Sequence, residues 1–141
     1  MSIIDIFAEA EKLKLDLENL SVEKLQVEIQ ECKSLLLIDI REIQELVDLG
    51  TIPGSIHVPR GMMEFWASPA SPYYREYFTQ SKRTVLFCAG GGRSALAARD
   101  LKGMGFSNVA HLEAGFNGWI KASGEVEDFA AKSRWSRREE G

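Results

Sequence analysis

The 141-residue sequence has only two cysteines, Cys32 and Cys88, standing 56 positions apart. With no close pair, neither a disulfide framework nor a zinc knuckle can be read from it. Histidine is equally scarce. His57 and His111 lie 54 positions apart with no third ligand at useful spacing, so each reads as a hydrogen-bonded structural residue and no metal is expected. No apolar run approaches the length of a membrane span, and the first residues lack the basic-then-apolar layout of a secretion signal. The expectation is a cytoplasmic protein without a membrane partner. A Gly-Lys-Ser/Thr is also missing, which excludes the phosphate loop of nucleoside triphosphatases.

What remains is ordinary globular material, 45% hydrophobic and 27% charged, long enough for one domain with a real core. The net charge of -4 is unevenly placed. Residues 1–50 carry 5 basic and 12 acidic side chains, whereas residues 51–141 carry 12 and 9. The second part is therefore mildly suited to small anions. Nothing in this balance calls for nucleic acid, and the short basic stretch at 132–138 reads as a solvated terminus.

The densest chemistry lies in Thr84-Val-Leu-Phe-Cys88-Ala-Gly-Gly-Gly-Arg93-Ser94-Ala-Leu-Ala-Ala. It begins as an apolar run of strand character, passes through Gly90, Gly91 and Gly92, and continues as an alanine-rich helix. Glycine lets the backbone curl so that successive N–H groups point at one place. The helix start adds partial positive charge and Arg93 a full one. Such a setting stabilises anions, and the thiolate is the nucleophilic form of cysteine. Cys88 is accordingly the candidate nucleophile.

Cys88, four small residues and Arg93-Ser94 resemble the active-site loop of the rhodanese (sulfurtransferase) superfamily. Three further stretches are similar to that family's signatures and stand in its order: Leu36-Leu-Ile-Asp39-Ile-Arg41-Glu42, Gly50-Thr-Ile-Pro53-Gly54-Ser-Ile-His57-Val-Pro59 and Glu113-Ala-Gly115-Phe-Asn-Gly-Trp119. The resemblance covers about residues 20–124. It implies sulfur transfer through a persulfide on Cys88, cradled by the backbone N–H groups of Ala89, Gly90, Gly91, Gly92, Arg93 and Ser94. Arg93 would anchor a small anionic sulfur donor and help shape the loop, with a thiol or cyanide as acceptor and no cofactor. The resemblance also gives Asp39 and Arg41 a structural role, Arg41 being one candidate partner for a carboxylate at the end of a buried strand.

Two rivals use the same letters. Gly90 to Ala95 match the dinucleotide fingerprint G-x-G-x-x-A, with Glu113 23 residues after Gly90. Only 28 residues follow Glu113, too few for the remainder of a dinucleotide domain, and Cys88 would have no purpose. Phosphatase or arsenate reductase chemistry uses a Cys-x5-Arg loop around a tetrahedral oxyanion. Four residues between Cys88 and Arg93 make a tighter ring, sized for a single sulfur. A non-catalytic interaction module is a third class, disfavoured by the presence of Cys88.

Apolar residues at Ile3, Ile6, Ala10, Leu13, Leu17 and Leu20 predict one amphipathic helix, an N-terminal addition over residues 1–18. It lies on its own domain or pairs with a second copy or another protein. The rhodanese-like domain spans 19–124 and a polar, basic tail 125–141. Ser21 caps a helix through Ile29 with Val22, Leu25 and Ile29 inward. Leu35–Ile40 reads as a strand buried on both faces, 42–49 as a helix stopped by Gly50, and 55–58 as a short strand. Residues 61–80 hold six of the thirteen aromatics, split by Pro69 and Pro72, and form either a pocket wall or satellite core packing. Helices are expected at 94–102 and 114–121, the latter with Phe116, Trp119 and Ile120 inward, and a strand at 108–112. Strands alternating with helices imply a three-layer α/β fold, a mostly parallel sheet with helices on both faces. Cys32 reads as structural filler or as a resolving thiol.

Overall fold

Leu36–Asp39 (β2) and Thr84–Phe87 (β4) are buried along their whole length, which their unbroken apolar runs require. Leu36, Ile38, Leu86 and Cys88 enter one core, while Leu37, Val85 and Phe87 enter another on the opposite face, as the two-residue period of a strand dictates. The computed structural model describes residues 2–133. Among these, five strands form one parallel sheet; Glu18–Leu20 (β1), Ile56–His57 (β3) and Val109–Leu112 (β5) complete it. The order is β1-β5-β4-β2-β3. Val22–Glu31 (α2) and Gly115–Lys121 (α6) cover one face through Val22, Leu25, Phe116 and Trp119. Met63–Ala67 (α4) and Gly92–Gly103 (α5) cover the other through Met63, Ala67, Ala97, Ala98 and Leu101. Three layers and a parallel sheet are the architecture expected.

Several local expectations change. The N-terminal helix α1 covers only Ile6–Leu13, with Asp5 capping it through bonds from the Phe7 and Ala8 N–H groups, and a 3₁₀ turn follows at Lys14–Asp16. Glu18–Leu20 is not helical but becomes β1, pairing Asn19 with His111 of β5. Pairing with an open sheet edge outweighs a helical apolar spacing this short. Helix α1 packs on α5, leaving Ile3, Ile6 and Phe7 exposed. Ile29 and Ile120, expected inward, are exposed as well, each in the last turn of its helix.

Ser21 caps α2 through the Lys24 N–H, and Ile43–Leu49 (α3) carries a reciprocal cap between Glu42 and Glu45. Gly50 ends α3 at φ 81°. Of residues 61–80 only α4 and the 3₁₀ turn before it at Arg60–Met62 are helical. The chain after Trp119 returns to the domain: Glu125 accepts from the Trp119 indole at 2.7 Å, and Glu127 exchanges backbone bonds with Thr51. Beyond Ser133 the basic stretch lies outside the described residues.

Candidate active site

Cys88 follows β4 directly, so it stands at the carboxyl end of a central strand, where open α/β sheets bind ligands. Its Sγ accepts hydrogen bonds from the Gly91 N–H at 3.1 Å and the Ser94 N–H at 3.4 Å. Among the loop amides, those of Gly91 and Ser94 are the ones that reach the resting sulfur. The turn at Gly91 brings its own N–H and, one helical turn later, that of Ser94 onto the sulfur. The side chain is 1% exposed and joins the core of the α5 face beside Met63 and Leu86.

The three glycines are not equivalent. Gly91 has φ 95°, and a Cβ there would stand 2.1 Å from the Glu113 carbonyl oxygen, whereas Gly90 and Gly92 face open space. A fourth glycine, Gly115, has φ 65°, and its Cβ would stand 2.3 Å from the Ala89 oxygen. This close approach lets the Phe116 N–H donate to the Cys88 carbonyl at 2.8 Å and the Asn117 N–H to that of Ala89 at 3.0 Å. The start of α6 thus clamps the loop from outside. The Glu-Ala-Gly spacing was the only signal of it in the sequence.

Arg93, expected to await a donor, makes two bonds to Glu45 at 2.8 and 2.9 Å. The guanidinium holds the Glu45 carboxyl below its usual range, burial opposing it, and the Glu42 N–H adds to the lowering. The Arg93 pKa is raised in turn, first by Glu45. The Glu45 partnership had no signal beyond its capping spacing.

At the same end of the sheet, Asp39 and Arg41 are fully buried. Arg41 donates to Asp39 from Nε at 3.0 Å and from Nη2 at 2.7 Å, and Thr51 Oγ1 donates to Asp39 at 2.7 Å. Nη2 also reaches the Gly50 carbonyl at 2.8 Å, and the guanidinium lies 4.3 Å over the Phe116 ring. Buried Arg41 Nη1 is without a hydrogen-bond partner.

His57 bonds the Arg41 carbonyl oxygen through Nε2 at 2.8 Å. His111, read from the sequence as a hydrogen-bonded structural residue, is bonded at both ring nitrogens: its Nδ1 lies 2.8 Å from Ser94 Oγ and its Nε2 2.6 Å from Asn19 Oδ1. Burial first, then the nearby Lys14 charge, pushes its pKa down to about 4, with Glu11 opposing. Between pH 6.5 and that value the unfolded chain takes up a proton that the native one refuses. Stability is therefore complete above pH 6.5 and lost as pH falls, at about 1.4 kcal/mol per pH unit. Urea unfolding at pH 7 and pH 5 should show the wild type losing about 2 kcal/mol more than His111→Asn.

Phe78 is buried among the residues around Cys88, and Trp66, Tyr74 and Tyr77 pack against that cluster, with Arg75 stacked 4.4 Å from the Trp66 ring. Four of the segment's six aromatics thus pack in or against the core on the Cys88 face of the sheet, whereas Phe65 and Tyr73 are exposed. Cys32 caps the end of α2, before β2 begins. It is separated from Cys88 by the length of a four-residue strand, about 13 Å, which is beyond disulfide reach.

Residues 21–122 match the family described as the rhodanese-like domain. The chain belongs to the rhodanese family. The match begins just after β1. One relative is mouse thiosulfate sulfurtransferase/rhodanese-like domain-containing protein 3, 30% identical over 93 residues, which are 62% of this chain and 59% of the mouse protein. Bacillus subtilis YrkF is 30% identical over 100 residues, 71% of this chain and 49% of that protein. The chain thus spans about half to three fifths of these relatives. Among solved structures, the polysulfide-sulfur transferase homodimer of Wolinella succinogenes superposes with TM-score 0.69 at 27% identity, covering 85% of each chain. A Rhodopseudomonas palustris protein described as a "Possible Tyrosine Phosphatase" superposes with TM-score 0.84 at 38% identity, covering 90% of this chain and 98% of that one.

Proposed function

We propose that the chain is a sulfurtransferase that carries a sulfane sulfur on Cys88. The observation that carries this reading is a sulfur receiving two amide hydrogens, from Gly91 and Ser94, at the start of a Cys-x4-Arg loop. In the first half-reaction the Cys88 thiolate attacks the outer sulfur of thiosulfate or a persulfide. The new S–S bond forms as the donor's S–S bond breaks, and sulfite or a thiolate leaves with the electron pair. The terminal sulfur of the persulfide carries negative charge, which preorganised N–H groups and the start of α5 stabilise. In the second, cyanide or a thiol attacks that outer sulfur and the Cys88 thiolate departs. The mouse and Wolinella relatives, named for sulfur transfer, support this chemistry.

The phosphatase reading draws support from the description of the Rhodopseudomonas relative. The spacing of four residues, not five, between Cys88 and Arg93 weighs against it. Wild type and Cys88→Ser, each given thiosulfate with cyanide and separately para-nitrophenyl phosphate, distinguish the readings. Thiocyanate from the wild type alone is expected. Phosphate release that needs Cys88 would overturn the proposal, and silence with both substrates would favour a binding module.

Glu45 competes with an anionic donor for the Arg93 guanidinium. Glu45→Gln keeps an acceptor for the Glu42 N–H while removing the competing charge. Both side chains are partly exposed, so the pair contributes about 1 kcal/mol at most. Steady-state kinetics should give a thiosulfate KM lower by up to about fivefold, with kcat unchanged.

A further inference from the structure

We infer that Asn19 and His111 are positioning residues for Cys88, acting through Ser94. This deepens the reading of Cys88 as a nucleophile and rests on it. Two carbonyls determine the orientation of the Asn19 amide: Nδ2 donates to Lys14 O at 2.8 Å and to Leu17 O at 3.1 Å. Its Oδ1 is therefore the end that meets His111, 2.6 Å from Nε2, and Nε2 must carry the hydrogen. A neutral ring protonated there has an open lone pair on Nδ1, so the Ser94 hydroxyl donates to Nδ1 across 2.8 Å. That uses the one hydroxyl hydrogen of Ser94. The Gly91 carbonyl, 3.3 Å from Ser94 Oγ, is then a contact and not a second acceptor.

Ser94 and His111 are fully buried, so no water competes for these bonds. The backbone N–H of the same serine is one of the two on the Cys88 sulfur. The first turn of α5 is thus held from two strands, β5 through His111 and β1 through Asn19. Asn19 lies just before the matched family residues 21–122, so the edge strand β1 supplies part of the site's support. The charges facing His111 are Lys14 and Glu11, which pair with each other at 2.8 Å. The charge facing Cys88 is Arg93, paired with Glu45.

The test uses the full chain carrying Cys32→Ser, so that Cys88 is the one thiol. The rate of its alkylation by iodoacetamide is followed from pH 5 to 10, beside thiosulfate turnover. His111→Asn retains an acceptor where Nδ1 stands; His111→Gln retains a donor where Nε2 stands but leaves the Ser94 hydroxyl unmet. Expected at pH 7 is alkylation slowed about three- to tenfold in His111→Gln and in Asn19→Ala, with the rate profile displaced to higher pH. His111→Asn should recover to within about twofold of wild type, and turnover should follow the same order in kcat. Identical alkylation profiles in all variants, with only the melting temperature lowered, would overturn the inference. So would an Asn variant as impaired as the Gln variant. Alkylation in the expected order without any thiosulfate turnover, in the wild type included, supports the positioning roles and removes the sulfurtransferase reading. A wild-type Cys88 inert to iodoacetamide removes both.

Discussion

Gly91→Ala should cost about 3 kcal/mol or more and abolish activity, while Gly90→Ala, one residue earlier in the same run, should leave both nearly unchanged. The left-handed backbone at Gly91 alone costs alanine about 1–2 kcal/mol. Its methyl group would also press into the Glu113 carbonyl oxygen, which cannot move without shifting the end of β5. Relief by backbone movement carries the Gly91 N–H away from the Cys88 sulfur, so the chemistry fails together with the packing. At Gly90 nothing lies within 4 Å of the added methyl group. Thermal unfolding should place Gly91→Ala about 10 °C below the wild type and Gly90→Ala within about 2 °C. Equal melting temperatures for the two variants would refute the clamp between the loop and β5. Gly115→Ala, meeting the Ala89 and Cys88 carbonyl oxygens from the other side, should resemble Gly91→Ala.

Asp39→Ala should be the most destabilising polar substitution, by about 3–5 kcal/mol. It leaves a guanidinium in the core with the Gly50 carbonyl and the Phe116 ring as its remaining partners. The Thr51 hydroxyl loses its carboxylate acceptor in the same step. Replacing both members of the pair, Asp39→Leu with Arg41→Met, removes the orphaned charge and should recover most of the loss, because a buried ion pair gains little over well-packed apolar side chains. Urea unfolding of the single and double variants measures this directly. A double variant less stable than Asp39→Ala would mean that the pair's bonds outweigh its desolvation.

Much of the fold was legible along the chain. The unbroken apolar runs at 36–39 and 84–87 could only be strands covered on both faces, and glycines or caps marked the ends of α2, α3 and α5. The failure at 17–20 has a physical cause. Leu17 and Leu20 continue the helical spacing, but two apolar residues are too few to fix a period, and the open side of β5 decided for a strand.

The site divides in the same way. Local order along the chain determined that a cysteine would stand at a strand end, followed by a turn and the positive end of a helix, since neighbouring residues build that arrangement among themselves. Which glycine the turn needs, what Arg93 holds, and why Ser94 keeps its place depend on Glu113, Glu45, His111 and Asn19. These lie 17 to 75 positions away from the residues they serve and meet them only when the sheet assembles. Side-chain chemistry is written residue by residue, but hydrogen-bond partners across a sheet are chosen by packing.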